Sequence, residues 1–86
     1  MRMLLRVTVP VEAGNRTIKD GTMNKVLEPM LAKLKPEASY FYTMNGQRGV
    51  FIVFDMKDAS QIPAIAEPFF MNFTAEVEFA PVMNCG

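Results

Sequence analysis

Eighty-six residues with nine Lys+Arg, nine Asp+Glu and zero net charge make one small domain, and they exclude a binder driven by phosphate neutralisation. Half of the residues are apolar (50%), yet a chain this short buries only about 60–65% of its unfolded surface, so the surplus points to further burial in an oligomer. The absence of histidine removes His-based acid–base catalysis, His-dependent triads, most zinc sites and the usual haem ligand.

The first ten residues, MRMLLRVTVP, carry a charge and an apolar run in the manner of a secretory signal. Arg6 interrupts that run and no small-residue cleavage site follows. The pattern is instead a strand over residues 3–9, with Met3, Leu5, Val7 and Val9 on one face and Leu4, Arg6 and Thr8 on the other. No window approaches the ~18 apolar residues of a membrane span, and the expected setting is the cytoplasm. A polar segment, VEAGNRTIKDG (residues 11–21), comes next. It is long for a connection, and is read as an ordered loop, an extra helical turn or a lid. No Gly-Lys-Ser/Thr follows its glycines, so it is not a phosphate-binding loop.

Met23, Val26, Leu27, Met30, Leu31 and Leu34 recur at helical spacing and predict an amphipathic helix. Pro29 deletes one backbone donor inside it, predicting a kink or break, and Pro36 stops it. Residues 38–44 (ASYFYTM) and 47–56 (QRGVFIVFDM) flank Asn45-Gly46, which predicts a hairpin closed by a two-residue type I′ turn. A second helix starts at Asp58 or Ser60, where Gln61 supplies the third-position partner of a capping box. Its stripe is Ile62, Ile65, Ala66, Phe69 and Phe70. Over 73–82, FTAEVEFAPV, the alternation of Phe73, Ala75, Val77 and Phe79 with Thr74, Glu76 and Glu78 predicts the last strand. Cys85 is a lone thiol beside the C-terminus, read as idle; with no second cysteine, a reducing compartment fits.

The predicted order is βαββαβ, an α+β ferredoxin-like domain over residues 1–86. It is a four-stranded antiparallel sheet with both helices on one face. The hairpin sets Tyr42 opposite Gly49 and Tyr40 opposite Phe51, and opposed residues share a face. The helix side of the third strand takes Val50, Ile52, Phe54 and Met56. The open face then carries Tyr40, Tyr42, Phe51, Val53 and Asp55, with Leu4, Arg6 and Thr8 from the first strand and Glu76, Glu78 and Val82 from the last. A bulge at Gly49 would shift part of this set. Arg48-Gly49 opens its strand as the RNA-contacting strand of an RNA-recognition domain does. The third and fifth positions of that motif, which should be base-stacking aromatics, are here Val50 and Ile52. Asp55, Glu76 and Glu78 would also repel phosphate, so no nucleic acid is expected. Leu4, Tyr40, Tyr42, Phe51 and Val53 make an apolar patch too large to stay wet on a small domain. A second copy, sheet against sheet about a two-fold axis, is the simplest cover.

The βαββαβ order, the FDMKD exit from the third strand, IPAIAEPFF on the second helix and AEVEFAPVM on the last strand resemble small bacterial proteins of the dimeric α+β barrel superfamily. Among these, the chain is most similar to uncharacterised members called domains of unknown function. The resemblance covers essentially the whole chain. It implies a homodimer, and it groups the chain with muconolactone isomerase, cofactor-free antibiotic-biosynthesis monooxygenases and haem-degrading monooxygenases. With no His for iron the haem branch does not fit, and with neither His nor Trp no catalytic residue carries over. No metal or cofactor is expected.

Two constellations on the open face are the candidate ligand-binding residues. Arg6 beside Glu76 and Glu78 could fix a substrate carboxylate while a glutamate moves a proton; equally, it could be a cross-strand ion pair. Tyr40 and Tyr42, with Phe51, could line a pocket for an aromatic ligand or pack as interface aromatics. The two functional classes that follow are a homodimeric small-molecule-binding protein without catalysis, and a cofactor-independent isomerase or monooxygenase-like enzyme for a small apolar or aromatic acid.

Overall fold

Alternation in β1 (Arg2–Val9) decides which side of the molecule is inside. Met3, Leu5, Val7 and Val9 are buried, and the residues between them are half-buried. The computed structural model describes residues 1–85. After β1 come α1 (Val11–Lys19), α2 (Thr22–Leu34), β2 (Ala38–Met44), β3 (Gln47–Asp55), a 3-10 turn (Ala59–Gln61), α3 (Ile62–Phe73) and β4 (Glu76–Pro81). The strands form one antiparallel sheet in the order β2-β3-β1-β4, so β1 and β3 are central. This is the ferredoxin-like α+β arrangement, with the first crossover divided into two helices. Among the described residues, no helix is long and apolar enough to cross a membrane.

The hairpin closes as its turn residues dictate. Asn45 (φ 53°) and Gly46 (φ 76°) both lie in the left-handed region, as a type I′ turn requires. Met44 therefore faces Gln47, Tyr42 faces Gly49 and Tyr40 faces Phe51. The β1–β3 ladder runs unbroken from Arg2↔Asp55 to Val9↔Arg48, with no bulge at Gly49. The ring of Tyr42 lies over that glycine, where an added Cβ would stand 3.0 Å from the Tyr42 Cε1 and Cζ atoms.

Three features differ from expectation. The 11–21 segment is chiefly a helix, α1, whose buried side is Ala13, Gly14 and Thr17. The missing side chain of Gly14 leaves room for that of Arg48, and Thr17 satisfies its hydroxyl by donating to the Ala13 carbonyl at 2.7 Å. The break between helices falls at Asp20-Gly21, where Gly21 takes φ 82°. In contrast, α2 continues through Pro29, held by Leu27 and Met30, which are buried on either side of it. Finally, α3 extends to Phe73 and β4 starts only at Glu76. The buried stripe of α3 is Ile65, Ala66, Phe69 and Phe73, while Phe70 is 44% exposed. Phe73 thus enters the core from a helix, three to four residues after Phe69 and Phe70, and not from a strand. The capping box does form: the Gln61 side-chain oxygen accepts from the Asp58 N–H at 3.3 Å, and the Ser60 hydroxyl donates to Asp58 at 2.8 Å.

The core is Leu5, Val7, Ile52, Phe54, Ile65, Phe69 and Phe73 with their neighbours, all between the sheet and the helices. The helices cover β1 and β3 but leave the edge strand β2 largely uncovered, so Phe41 is 70% exposed even though its side faces the helix layer.

Candidate functional site

On the open face, the register assembles two rows of side chains. One runs Tyr42, Gly49, Thr8, Glu76 across the sheet, and the next runs Tyr40, Phe51, Arg6, Glu78. All six of the candidate residues therefore share one surface. Phe51 sits 5.2 Å from Tyr40 and 5.3 Å from Tyr42, centroid to centroid, within the range of favourable aromatic pairing. The charged half is less closely joined. Arg6 stands opposite Glu78 but pairs with neither glutamate; the ion pairs among the described residues are the Met1 ammonium with Asp55 (2.7 Å) and Arg2 with Glu37 (2.6 Å). Arg6 Nε and the Tyr42 hydroxyl are both enclosed without a hydrogen-bond partner. A buried polar atom left so costs about 1–3 kcal/mol, so each of the two calls for a hydrogen-bond partner.

The opposite face holds a cleft of about 290 Å³. Its floor is Val7, Val9 and Val50 of the central strands. Ile18, Met23 and Leu27 form one wall, Phe69 and Phe73 another, and Phe41 overhangs it from β2. The cleft exists because the helix layer stops short of β2, leaving core side chains facing an unfilled corner. Of the six open-face candidates, only Tyr42 also borders it, beside Gly49.

Arg48 is the charged residue of the cleft. It lies on the helix side by its parity with Val50 and Ile52, and its Nη2 donates to Asn15 Oδ1 of α1 at 3.0 Å. The sequence pattern does not single out either element of this contact as a site: the segment holding Gly14 and Asn15 reads as an ordered loop, an extra helical turn or a lid, and Arg48 draws notice only as the Arg-Gly entry to its strand. The signal that could have found the cleft was Phe41, set opposite Val50 by the hairpin with no third helix expected to cover it.

Titration is perturbed at the ends of elements. Asp20 is held below the ordinary carboxyl range by its hydrogen bonds from Thr22, Asp55 by the Met1 ammonium, and Asp58 by hydrogen bonds from Ser60 and Ala59. A second hollow, of about 400 Å³, is bordered by Lys33, Lys35, Lys57 and Asp55. Among the described residues, no group of three or more Asp, Glu and Cys side chains is gathered to hold a metal ion.

The chain belongs to the family described as "Domain of unknown function (DUF3303)", matched over residues 1–86. No curated protein matches it. Among solved structures it is similar to the uncharacterised protein TM1266 of Thermotoga maritima, at 15% identity and a TM-score of 0.61, covering 95% of this chain and 96% of that one. It is also similar to a formyltetrahydrofolate deformylase of Pseudomonas putida KT2440, at 14% identity and a TM-score of 0.61, covering 95% of this chain but 29% of that enzyme. At these identities the likeness shows the fold.

Proposed function

We propose that this member of the DUF3303 family is a small-molecule-binding protein that works as a homodimer, holding an apolar ligand in the helix-side cleft. The observation that carries this reading is the cleft itself. Its volume, about 290 Å³, stands at the small end of ligand sites, which are concave and mostly apolar with few polar groups. Its lining joins core residues such as Val7, Val50, Phe69 and Phe73 to the exposed Ile18 and Phe41, so a ligand there gains apolar burial at about 25 cal/mol per Å². Native mass spectrometry of freshly purified protein tests the reading, with thermal shifts across a panel of small apolar molecules. Ile18→Trp, at a half-exposed position on the wall, should fill the cleft and abolish the shifts while the protein stays folded. A panel that leaves wild-type melting unmoved, with no retained mass, would overturn the reading.

The open face supports the dimer. Leu4, Tyr40, Tyr42, Phe51 and Val53 form the apolar surface, and a second copy would bring its own Glu76 and Glu78 toward Arg6 Nε. A second reading keeps Arg6, Tyr40, Tyr42, Phe51, Glu76 and Glu78 as the ligand site, now between two copies. The unpartnered Arg6 Nε and Tyr42 hydroxyl favour it, because a ligand's acceptors could meet them there. Arg6→Met separates the two: loss of ligand with an intact dimer supports the second reading. Catalysis of the isomerase or monooxygenase kind would need a proton-moving group against the ligand. Tyr42 and Arg48 are the ionisable side chains along the cleft, which favours binding over turnover.

A further inference from the structure

We infer that the ligand of the helix-side cleft is a monocarboxylic acid with an apolar body, its carboxylate held by Arg48; this rests on the cleft being a binding site. The position of Arg48 in β3 is fixed by pairing with Val9 on one side and Thr43 on the other. From there the side chain lies across α1, with Nη2 donating to Asn15 Oδ1 at 3.0 Å.

Gly14 makes that path available. A Cβ at residue 14 would stand 2.5 Å from Arg48 Nη1 and 3.3 Å from its Cδ and Cζ, so the guanidinium lies against bare helix backbone. A mid-helix glycine is destabilising relative to alanine, and the arginine occupies the space it leaves. Asn15 then fixes the outer nitrogen.

The charge so held is unpaired. No carboxylate stands within 4.0 Å of Arg48 among the described residues, and the remaining lining residues, Tyr42 aside, are apolar side chains and Gly49. Arginine presents a planar fork of N–H donors that matches a carboxylate with two parallel bonds, and Arg48 is a solvent-exposed residue on the lining of an otherwise apolar cleft. A neutral apolar ligand would leave that exposed charge to water. A dianion or phosphate would bring more charge than one arginine neutralises. A carboxylate with an apolar body fits both the fork and the cavity.

Calorimetry with straight-chain fatty acids and the primary alcohols of matching length tests this at a pH where the acids are ionised. The acids should bind at least tenfold tighter than the alcohols. Within the acid series each added methylene should tighten binding about fourfold, at ~0.8 kcal/mol per group, until the cleft is full. Arg48→Met, which keeps the stem and deletes the charge, should bring the acids down to the alcohols and leave the alcohols unchanged. Gly14→Ala should weaken acid binding severalfold while melting no lower than wild type, a combination that a purely structural role for Gly14 does not produce. Acids and alcohols binding alike, or Arg48→Met binding acids as wild type does, would overturn the assignment to Arg48 while the cleft remains a site. If neither series binds, the cleft is not a site for such ligands and the inference falls with it.

Discussion

At Thr74 the chain leaves α3 with φ 52° and ψ 36°, its N–H donating to the Phe70 carbonyl. The cap is sound but the residue is β-branched, and left-handed backbone costs an L-residue about 1–2 kcal/mol. Thr74→Gly removes that strain and gives back part of it through a more flexible unfolded chain. The expected net gain is about 0.5–1 kcal/mol, read as a rise of a few degrees in Tm; a fall would mean that the Thr74 side chain makes a contribution of its own. Asp58 gives a pH dependence. Hydrogen bonds from Ser60 and Ala59 depress its carboxyl below the ordinary value of 3.8, so the folded state favours the ionised form. That contribution is present above pH 3.8 and fades as pH falls through the lower folded value. The Tm gap between wild type and Asp58→Asn should therefore narrow below pH 3.8, and a gap constant from pH 6 to pH 3 would place the cap's worth elsewhere. Single residues were unevenly legible. Asp58 and Gln61 declared their capping box by spacing, because that motif is local. Arg48 and Gly14 did not, because their contact joins a strand to a helix and no spacing rule records it.

The elements show the same division. The hairpin was legible because Asn45-Gly46 forces two left-handed residues and period-two alternation does the rest; one turn sets the whole open face. Gly46→Val tests how much depends on it. No atom lies within 4 Å of a Cβ built at Gly46, so the substitution meets open space and its cost is backbone strain alone, about 1–2 kcal/mol. Gly46→Val should thus melt several degrees below wild type, and Gly46→Ala by less, since alanine is not β-branched. A Gly46→Val protein that melts with wild type would mean that strand packing, not the turn, fixes the register. By contrast the 11–21 pattern leaves α1 open between an ordered loop, an extra helical turn and a lid. The buried side of α1 is small (Ala13, Gly14, Thr17), so the 3.6-residue period carried too little apolar weight to register. Likewise, α3 outlasted its expected end because Phe73 fits the helical stripe of Phe69 as well as it fits the alternation of a strand.

The described residues measure 39 × 25 × 17 Å, one sheet under one layer of helices, and among them no helix covers the second sheet face. On that face Phe51 is half-buried between Tyr40 and Tyr42, with Arg6 across the strand. If a second copy covers the face, Phe51 completes its burial there, and a fully buried phenylalanine is worth up to about 3 kcal/mol. Phe51→Glu replaces that gain with a carboxylate among aromatics, on a face that already carries Glu76 and Glu78. Each copy would bring one such charge into the contact, where Arg6 is the one basic side chain opposite it in the register. Sedimentation at micromolar concentration should give a dimer for wild type and a monomer for Phe51→Glu. Because Phe51 lies outside the helix-side core, the monomer should keep its far-ultraviolet circular dichroism. It should also keep its affinity for ligands of the cleft to within a few-fold: Tyr42 both lines the cleft and packs on Phe51, but Arg48, Val50 and the helix residues of the lining are on the other side of the sheet. A monomeric wild type would overturn the dimer. A monomeric Phe51→Glu that no longer binds would mean that the two faces are coupled, and would move the ligand site to the surface between the copies.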